Sequence, residues 1–162
     1  MNTRVAAILK TLLFTVLVPG FVAGIAPSWV APGRRAASDA LGVAGALILC
    51  AGLLVYLRCA WDFAYHGLGT PAPIDPPKVL VSRGLHRFVR NPMYVGVLGV
   101  VFGQAAWFHS RNILVYGICL WLAFHLFVLM YEEPVLREKF GESYEEYKRQ
   151  VPRWLPRAGR KG

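Results

Sequence analysis

Paired cysteines, metal-ligand spacings and any polar module set apart from the rest are missing from this 162-residue chain. Its three cysteines, Cys50, Cys59 and Cys119, fall within or at the ends of apolar runs. They have neither the even count of an extracellular disulfide framework nor the spacing of a metal site, so packing is their expected role. His66 and His86 flank an irregular connection as lone side chains, a pattern more often structural than metal-binding, and no metal is expected. Acidic residues are scarce: nine Asp and Glu stand against 18 Lys and Arg, for a net charge of +9. No basic stretch forms a soluble module of its own. The excess therefore points to an anionic membrane surface or an anionic ligand, and nucleic acid is not an expected partner.

What is abundant is apolar. Hydrophobic residues make up 56% of the chain and the mean hydropathy is +0.43, too high for an ordinary soluble domain. Four apolar runs, over residues 11–30, 40–60, 92–109 and 112–131, are long enough at about 1.5 Å per residue to cross or nearly cross a hydrocarbon core of about 30 Å. Arg4 and Lys10 give the first run the look of a signal peptide, but three further runs make a retained anchor the better reading. The expected fold is an all-α integral membrane protein of one domain, with about four transmembrane helices and an amphipathic interfacial helix near the C-terminus. Residues 1–61 form an N-terminal helical pair and 62–162 the part that carries the chemistry. Lys and Arg are densest in the second connection and the tail, which places both termini in the cytoplasm, with a bacterial inner membrane as the expected setting.

The third and fourth runs are separated by Ser110 and Arg111 alone, so they form a hairpin. Its two polar ends, Arg90-Asn91-Pro92 and Tyr131-Glu132-Glu133-Pro134, are thereby expected to meet. Asn91 suits an N-cap and Pro92 the first helical position. The helix end they start, flanked by Arg87 and Arg90, reads equally as an anion site or as a capped helix with arginines reaching for headgroups. Gly96, Gly99 and Gly103 make a stripe that permits close packing, or leaves room for a cofactor or lipid tail. Glu132 and Glu133 sit where Pro134 disfavours regular helix, as ligands for amino or hydroxyl groups or as ion-pair partners of Arg87, Arg90 or Arg137. His125 faces the bundle interior, touching a substrate or bonding another helix. Phe140, Tyr144, Tyr147 and Val151 recur at helical spacing, with Ser143 as a capping-box residue, and predict an amphipathic helix lying over this face.

The succession Gly67-Leu68-Gly69-Thr70-Pro71, Lys78 to Gly96 with Arg90-Asn91-Pro92 inside it, Glu132-Glu133, and Phe140-Gly141-Glu142-Ser143-Tyr144-Glu145-Glu146-Tyr147 closing on Val151-Pro152-Arg153-Trp154-Leu155-Pro156 resembles the isoprenylcysteine carboxyl methyltransferases and their relatives, the phospholipid N-methyltransferases. The resemblance covers about residues 67–156. It implies S-adenosylmethionine held at the cytoplasmic face and a lipid-like acceptor entering from the bilayer. The implied cofactor residues are Lys78, Val79, Leu80, Val81, His86, Arg90, Asn91, Tyr94 and Glu132. Glu133, His86 and Arg90 are the candidate catalytic side chains, the first two as acceptors of a proton from an amine. Three departures matter. Asn91 replaces a usual His, His86 a usual Tyr, and Val128 stands where the carboxyl methyltransferases have an Arg for the acceptor carboxylate. Without that Arg, a neutral or cationic headgroup such as an amine is the expected target, membrane lipids being the partners. A non-catalytic membrane protein built on the same hairpin is the competing reading.

Overall fold

The computed structural model describes residues 12–66, 80 and 82–156, with the side chains of 63–66 set aside. Every regular element among them is helical. Helix α1 covers Leu12–Val30, α2 Ala40–His66, α3 Pro92–Trp107, α4 Arg111–Phe140 and α5 Glu142–Gln150, with a short 3₁₀ turn at Gly84–Arg87. Three stretches, Leu12–Val30, Ala40–Asp62 and Arg111–Phe140, are long and apolar enough to cross a membrane. The third expected span, α3, has 16 residues and rises only about 24 Å, short of the hydrocarbon thickness. It is instead the centre of the bundle, with Val97, Leu98, Val101, Gln104 and Ala105 all buried. The outward faces of α2 and α4 carry Leu41, Leu47, Leu54, Leu114, Val115 and Ile118 exposed, a surface suited to lipid.

Backbone contact between α2 and α3 explains the glycine stripe. A Cβ on Gly96 would stand 2.8 Å from the Gly52 carbonyl oxygen, one on Gly52 2.7 Å from that of Gly96, and one on Gly103 2.7 Å from that of Gly45. All three glycines of α3 therefore serve close packing, and the seam has no room for a cofactor or lipid tail. Asp39 starts α2 by accepting from the Gly42 N–H at 2.8 Å, and Ser110 caps α4 by accepting from Ile113 N–H at 3.3 Å.

Two prolines shape the long helices. In α1 the stretch Phe21–Ile25 is wound as a π-helix, Ala26 N–H bonding Phe21 O, and Pro27 follows. Pro27 has no N–H for Ala23, four residues back, or for Val22, five back. Those two carbonyls accept side chains from other helices instead: Gln104 Nε2 donates to Ala23 O at 2.6 Å and the Tyr116 hydroxyl to Val22 O at 2.8 Å. The proline thus fastens α1 to α3 and α4. In α4 the same device recurs, with π-helix over Val128–Glu132, Glu133 N–H bonding Val128 O, and Pro134 next. The helix consequently runs through Glu133 without breaking, contrary to the expectation from Pro134, because the wider turn absorbs the proline.

Gly141, at φ 52°, turns the chain sharply into α5 and is its N-cap; Ser143 lies inside the helix and the expected capping box is not made. Tyr144 and Val151 are buried inward and α5 covers the polar end of the bundle. Gly84, at φ 58°, opens the 3₁₀ turn; a Cβ there would meet the Asp62 carboxylate at 2.7 Å, so glycine lets this turn pack on α2 and buries His86.

Candidate active site

The hairpin brings its two polar ends together. The Tyr94 hydroxyl donates to Glu132 Oε2 at 3.0 Å, and Arg90 Nη1 donates to Glu133 Oε1 at 3.0 Å. The two glutamates have separate duties. Glu133 is clamped a second time by Arg153, whose Nε and Nη2 donate to Oε1 and Oε2 at 2.7 and 3.1 Å. Only 9% of the Arg90 side chain and 11% of the Glu133 side chain are exposed. Glu132, next in sequence, adds a second carboxylate to the two guanidiniums, and Arg90 Nε is buried with no hydrogen-bond partner among the described residues.

Glu132 faces a cavity of about 550 Å³, within the range for a small-molecule site. Its polar end is lined by His86, Arg90, Asn91, Tyr94 and Glu132 and its apolar end by Phe14, Val18 and Val22 of α1, Val97 of α3, and Ala123, Phe124 and Phe127 of α4. Glu133 is not part of this lining. The Oε1 atom of Glu132 makes no hydrogen bond among the described residues, so it is open to a donor in the cavity.

A strap made by the end of α5 and residues 151–154 closes the polar end. Arg90 N–H bonds Pro152 O at 2.9 Å, and Asn91 Nδ2 donates to Arg153 O at 3.3 Å. Asn91 does hold the N-cap position of α3, but its side chain reaches the strap rather than capping the helix. Pro92 takes the first turn as expected. Trp154 Nε1 donates to His125 Nδ1 at 3.1 Å, so His125 bonds the strap and not another helix. Tyr144 donates no charge to the site but its hydroxyl lies 3.4 Å from Arg90 Nη1, from which it accepts. Burial pushes the Tyr147 phenol above its ordinary range, which keeps it protonated as the donor to His86 O at 2.8 Å.

Burial also lowers His86 to about 4, against an opposing pull from the Asp62 carboxylate. Its imidazole is neutral at physiological pH and only weakly basic. Of the other residues singled out in the sequence, Leu80 is half-buried, while Lys78, Val79 and Val81 lie outside the described residues. Arg137 pairs with Glu145 at 2.6 Å, away from the glutamate pair. Val128 is fully buried at the start of the π turn. The described residues hold no cluster of His, Cys, Asp or Glu arranged for a metal, and Cys50, Cys59 and Cys119 are free thiols.

Sequence reasoning passed over Arg153 and Trp154, although both lie in the closing block that carried the resemblance. It also passed over Phe14, Val18, Val22 and Tyr56, ordinary apolar-helix residues with no signal of their own.

The family model for phospholipid methyltransferase matches residues 41–143, from α2 through the start of α5. The chain belongs to the phospholipid methyltransferase family. This family member is also 34% identical over 79 residues to a protein-S-isoprenylcysteine O-methyltransferase of Schizosaccharomyces pombe, a match covering 48% of the chain and 33% of that relative. It is 35% identical over 78 residues to a probable protein-S-isoprenylcysteine O-methyltransferase of Oryza sativa subsp. indica, over 48% of the chain and 40% of the relative. The matches thus span a third to two fifths of these relatives' lengths. In this member of the family the matched range supplies the polar end of the cavity, whereas α1 and the strap lie outside it.

Proposed function

We propose that the protein is an S-adenosylmethionine-dependent methyltransferase whose acceptor is an amphiphile resident in the membrane, with its headgroup presented at the cytoplasmic face. The observation that carries this reading is the two-ended cavity: a charged, hydrogen-bonding end set directly against an apolar wall between helices. A donor with a carboxylate, an amino group and ribose hydroxyls finds complementary groups there. The N-terminus of α3, which no side chain caps, suits its carboxylate, and Glu132 Oε1 its hydroxyl or ammonium hydrogens. Lys78, Val79, Leu80 and Val81, with His86, Asn91 and Tyr94, complete the proposed cofactor side.

When bound, S-adenosylmethionine supplies an electrophilic methyl on a sulfonium. The protein's own work is then to hold the acceptor in line with it and to exclude water, which the strap and the aromatic wall favour. Glu133 acts in this scheme through Arg90, keeping the guanidinium placed. His86, neutral, contributes hydrogen bonding and only weak basicity. Val128 offers no partner for an acceptor carboxylate, and Arg90 and Arg153 are both engaged with Glu133. An uncharged or cationic headgroup is therefore the favoured acceptor, with an amine such as phosphatidylethanolamine first.

The test pairs calorimetric titration of detergent-purified protein with S-adenosylmethionine and transfer of labelled methyl to a panel of membrane lipids and a prenylcysteine analogue. Binding with transfer to an amine lipid supports the reading. Methyl-ester formation on the prenylcysteine alone would replace the acceptor, and absence of cofactor binding would remove the activity.

A further inference from the structure

The turn at Gly84–Arg87 has two sides. Inward, His86 and Val89 are buried; His86 lines the cavity and its carbonyl accepts from the Tyr147 hydroxyl. Outward, Arg83, Arg87 and Phe88 are exposed. The turn rests on the end of α2, where Gly84 approaches the Asp62 carboxylate so closely that a Cβ would meet it at 2.7 Å. Positions three apart eclipse in a 3₁₀ turn, so Arg87 lies on the edge that carries Gly84. Arg58 reaches the same place from α2: its Nη1 bonds Asp62 Oδ1 at 3.1 Å, with 58% of the side chain exposed. Three guanidiniums thus gather about one carboxylate, and the side chains of Arg83 and Arg87 make no hydrogen bond or ion pair among the described residues. Arg58 also shares a helix face with Leu54, Leu57 and Trp61, at i, i+3, i+4 and i+7, all exposed. It is therefore a charge on the lipid-facing stripe of a spanning helix, one turn inside the end of the span.

We propose that Arg58, Arg83 and Arg87 form a binding site for the headgroup of an anionic phospholipid, a second lipid distinct from the acceptor, which holds the His86 turn against α2. Asp62 offsets one of the three charges. The remainder repel one another at the edge of the hydrocarbon, where the dielectric is low, and an anion lying between them removes that repulsion. The apolar stripe beside Arg58 makes a lipid phosphate the anion at hand, and Trp61 and Phe88 are aromatics of the kind that settle at headgroup depth. None of the three arginines lines the cavity, so the lipid they hold is not the one presented at Glu132. Its influence passes through the turn instead. With the outer side fastened, His86 on the inner side is held in place, and turnover follows the anionic lipid content of the membrane. Binding of the lipid stands apart from the methyltransferase reading; its effect on turnover rests on that reading.

The experiment places the full chain in nanodiscs of phosphatidylcholine with and without phosphatidylglycerol and reads the lipid retained after release into detergent by native mass spectrometry. Wild type is expected to keep phosphatidylglycerol with about tenfold preference, and Arg83→Gln/Arg87→Gln to lose that preference, because each guanidinium near an anionic headgroup adds several-fold to its binding. Arg35→Gln/Arg111→Gln removes the same charge from exposed positions at the opposite end of the bundle and is expected to change nothing. Equal loss in the two double variants would mean attraction by net charge alone and overturns the site. Hydrogen exchange over residues 84–89 is expected to slow about fivefold on adding phosphatidylglycerol to wild type, and to be unaffected in Arg83→Gln/Arg87→Gln. A wild-type turn indifferent to the lipid overturns the coupling to His86. Inorganic phosphate slowing that exchange as far as phosphatidylglycerol does would overturn the assignment to a lipid. Methyl transfer is expected to rise about threefold with phosphatidylglycerol in wild type and to stay level in Arg83→Gln/Arg87→Gln, whereas an equal rise in both overturns the regulation. Failure of the wild type to bind S-adenosylmethionine refutes the methyltransferase reading by itself, since retention and exchange are scored without the cofactor.

Discussion

Tyr94 and Glu132 stand 38 positions apart in the chain, and the phenol of the first donates to the carboxylate of the second at 3.0 Å. That bond occupies one oxygen and orients the other into the cavity. Replacing Glu132 by Ala is expected to weaken S-adenosylmethionine binding by roughly ten- to a hundred-fold, the loss of a charge-assisted hydrogen bond of about 1.5 to 3 kcal/mol. Calorimetry on the folded variant measures it, and unchanged affinity would remove Glu132 from the site.

Glu133 should behave differently from its neighbour. It neutralises the largely buried Arg90 and the partly exposed Arg153, so Glu133→Ala leaves both guanidiniums without this carboxylate, at about 3 kcal/mol. Thermal unfolding in detergent is expected to show a far larger drop for Glu133→Ala than for Glu132→Ala. Equal drops would contradict the separation of duties.

His86 gives a pH signature whose sign is fixed. Its folded value of about 4 lies below the ordinary 6.5, so between these values the unfolded chain binds more protons. The stability it contributes is complete above about pH 6.5 and is lost as pH falls toward 4, amounting to about 3 kcal/mol. Thermal stability of wild type and His86→Gln across this window should converge on acidification. A wild-type curve that is flat from pH 7 to 4 relative to the variant would show that the imidazole is not buried neutral.

Gln104→Leu and Tyr116→Phe each leave a carbonyl of α1 without its donor, a cost of about 1 to 3 kcal/mol in a site closed to water. Hydrogen exchange over residues 21–30 is expected to quicken in either variant, while exchange in α3 changes little. Identical exchange in wild type and both variants would mean that packing alone holds α1.

Joint replacement of Cys50, Cys59 and Cys119 by Ala should preserve methyl transfer, since none of the three lines the cavity. Loss of transfer with the fold retained would reveal a thiol function.

The meeting of the hairpin ends was legible because a two-residue connection leaves helices no alternative to lying antiparallel. Pro92 at the head of α3 was legible too, from its fixed φ and missing N–H. The Pro134 break was misread because sequence spacing does not reveal that one π turn can absorb a proline. Asn91 was assigned a local cap, yet its amide goes to Arg153, 62 residues later; local propensity carries no information about a partner that distant. The same limit hid Arg153 as the second clamp on Glu133. The apolar wall was invisible for another reason. Phe14 and Val18 differ in no way from lipid-facing neighbours until α1 is docked, and docking depends on Gln104 and Tyr116 finding two carbonyls that only Pro27 sets free.

The paired π turns of α1 and α4 have a consequence for how this chain tolerates insertion and deletion. A π turn is one residue more than the α-helix around it needs. Deleting a single residue within 21–25 would let the helix return to regular winding with the residues before it in nearly the same phase, so Phe14 and Val18 would still face the cavity. The same holds within 128–131 for Glu132 relative to Phe124 and Phe127. A one-residue deletion in the regular parts of α1 or α4 instead swings one flank by about 100° about the helix axis. Length changes of one residue should therefore be tolerated best in these two segments, so related sequences are expected to vary in length there sooner than elsewhere in the two helices.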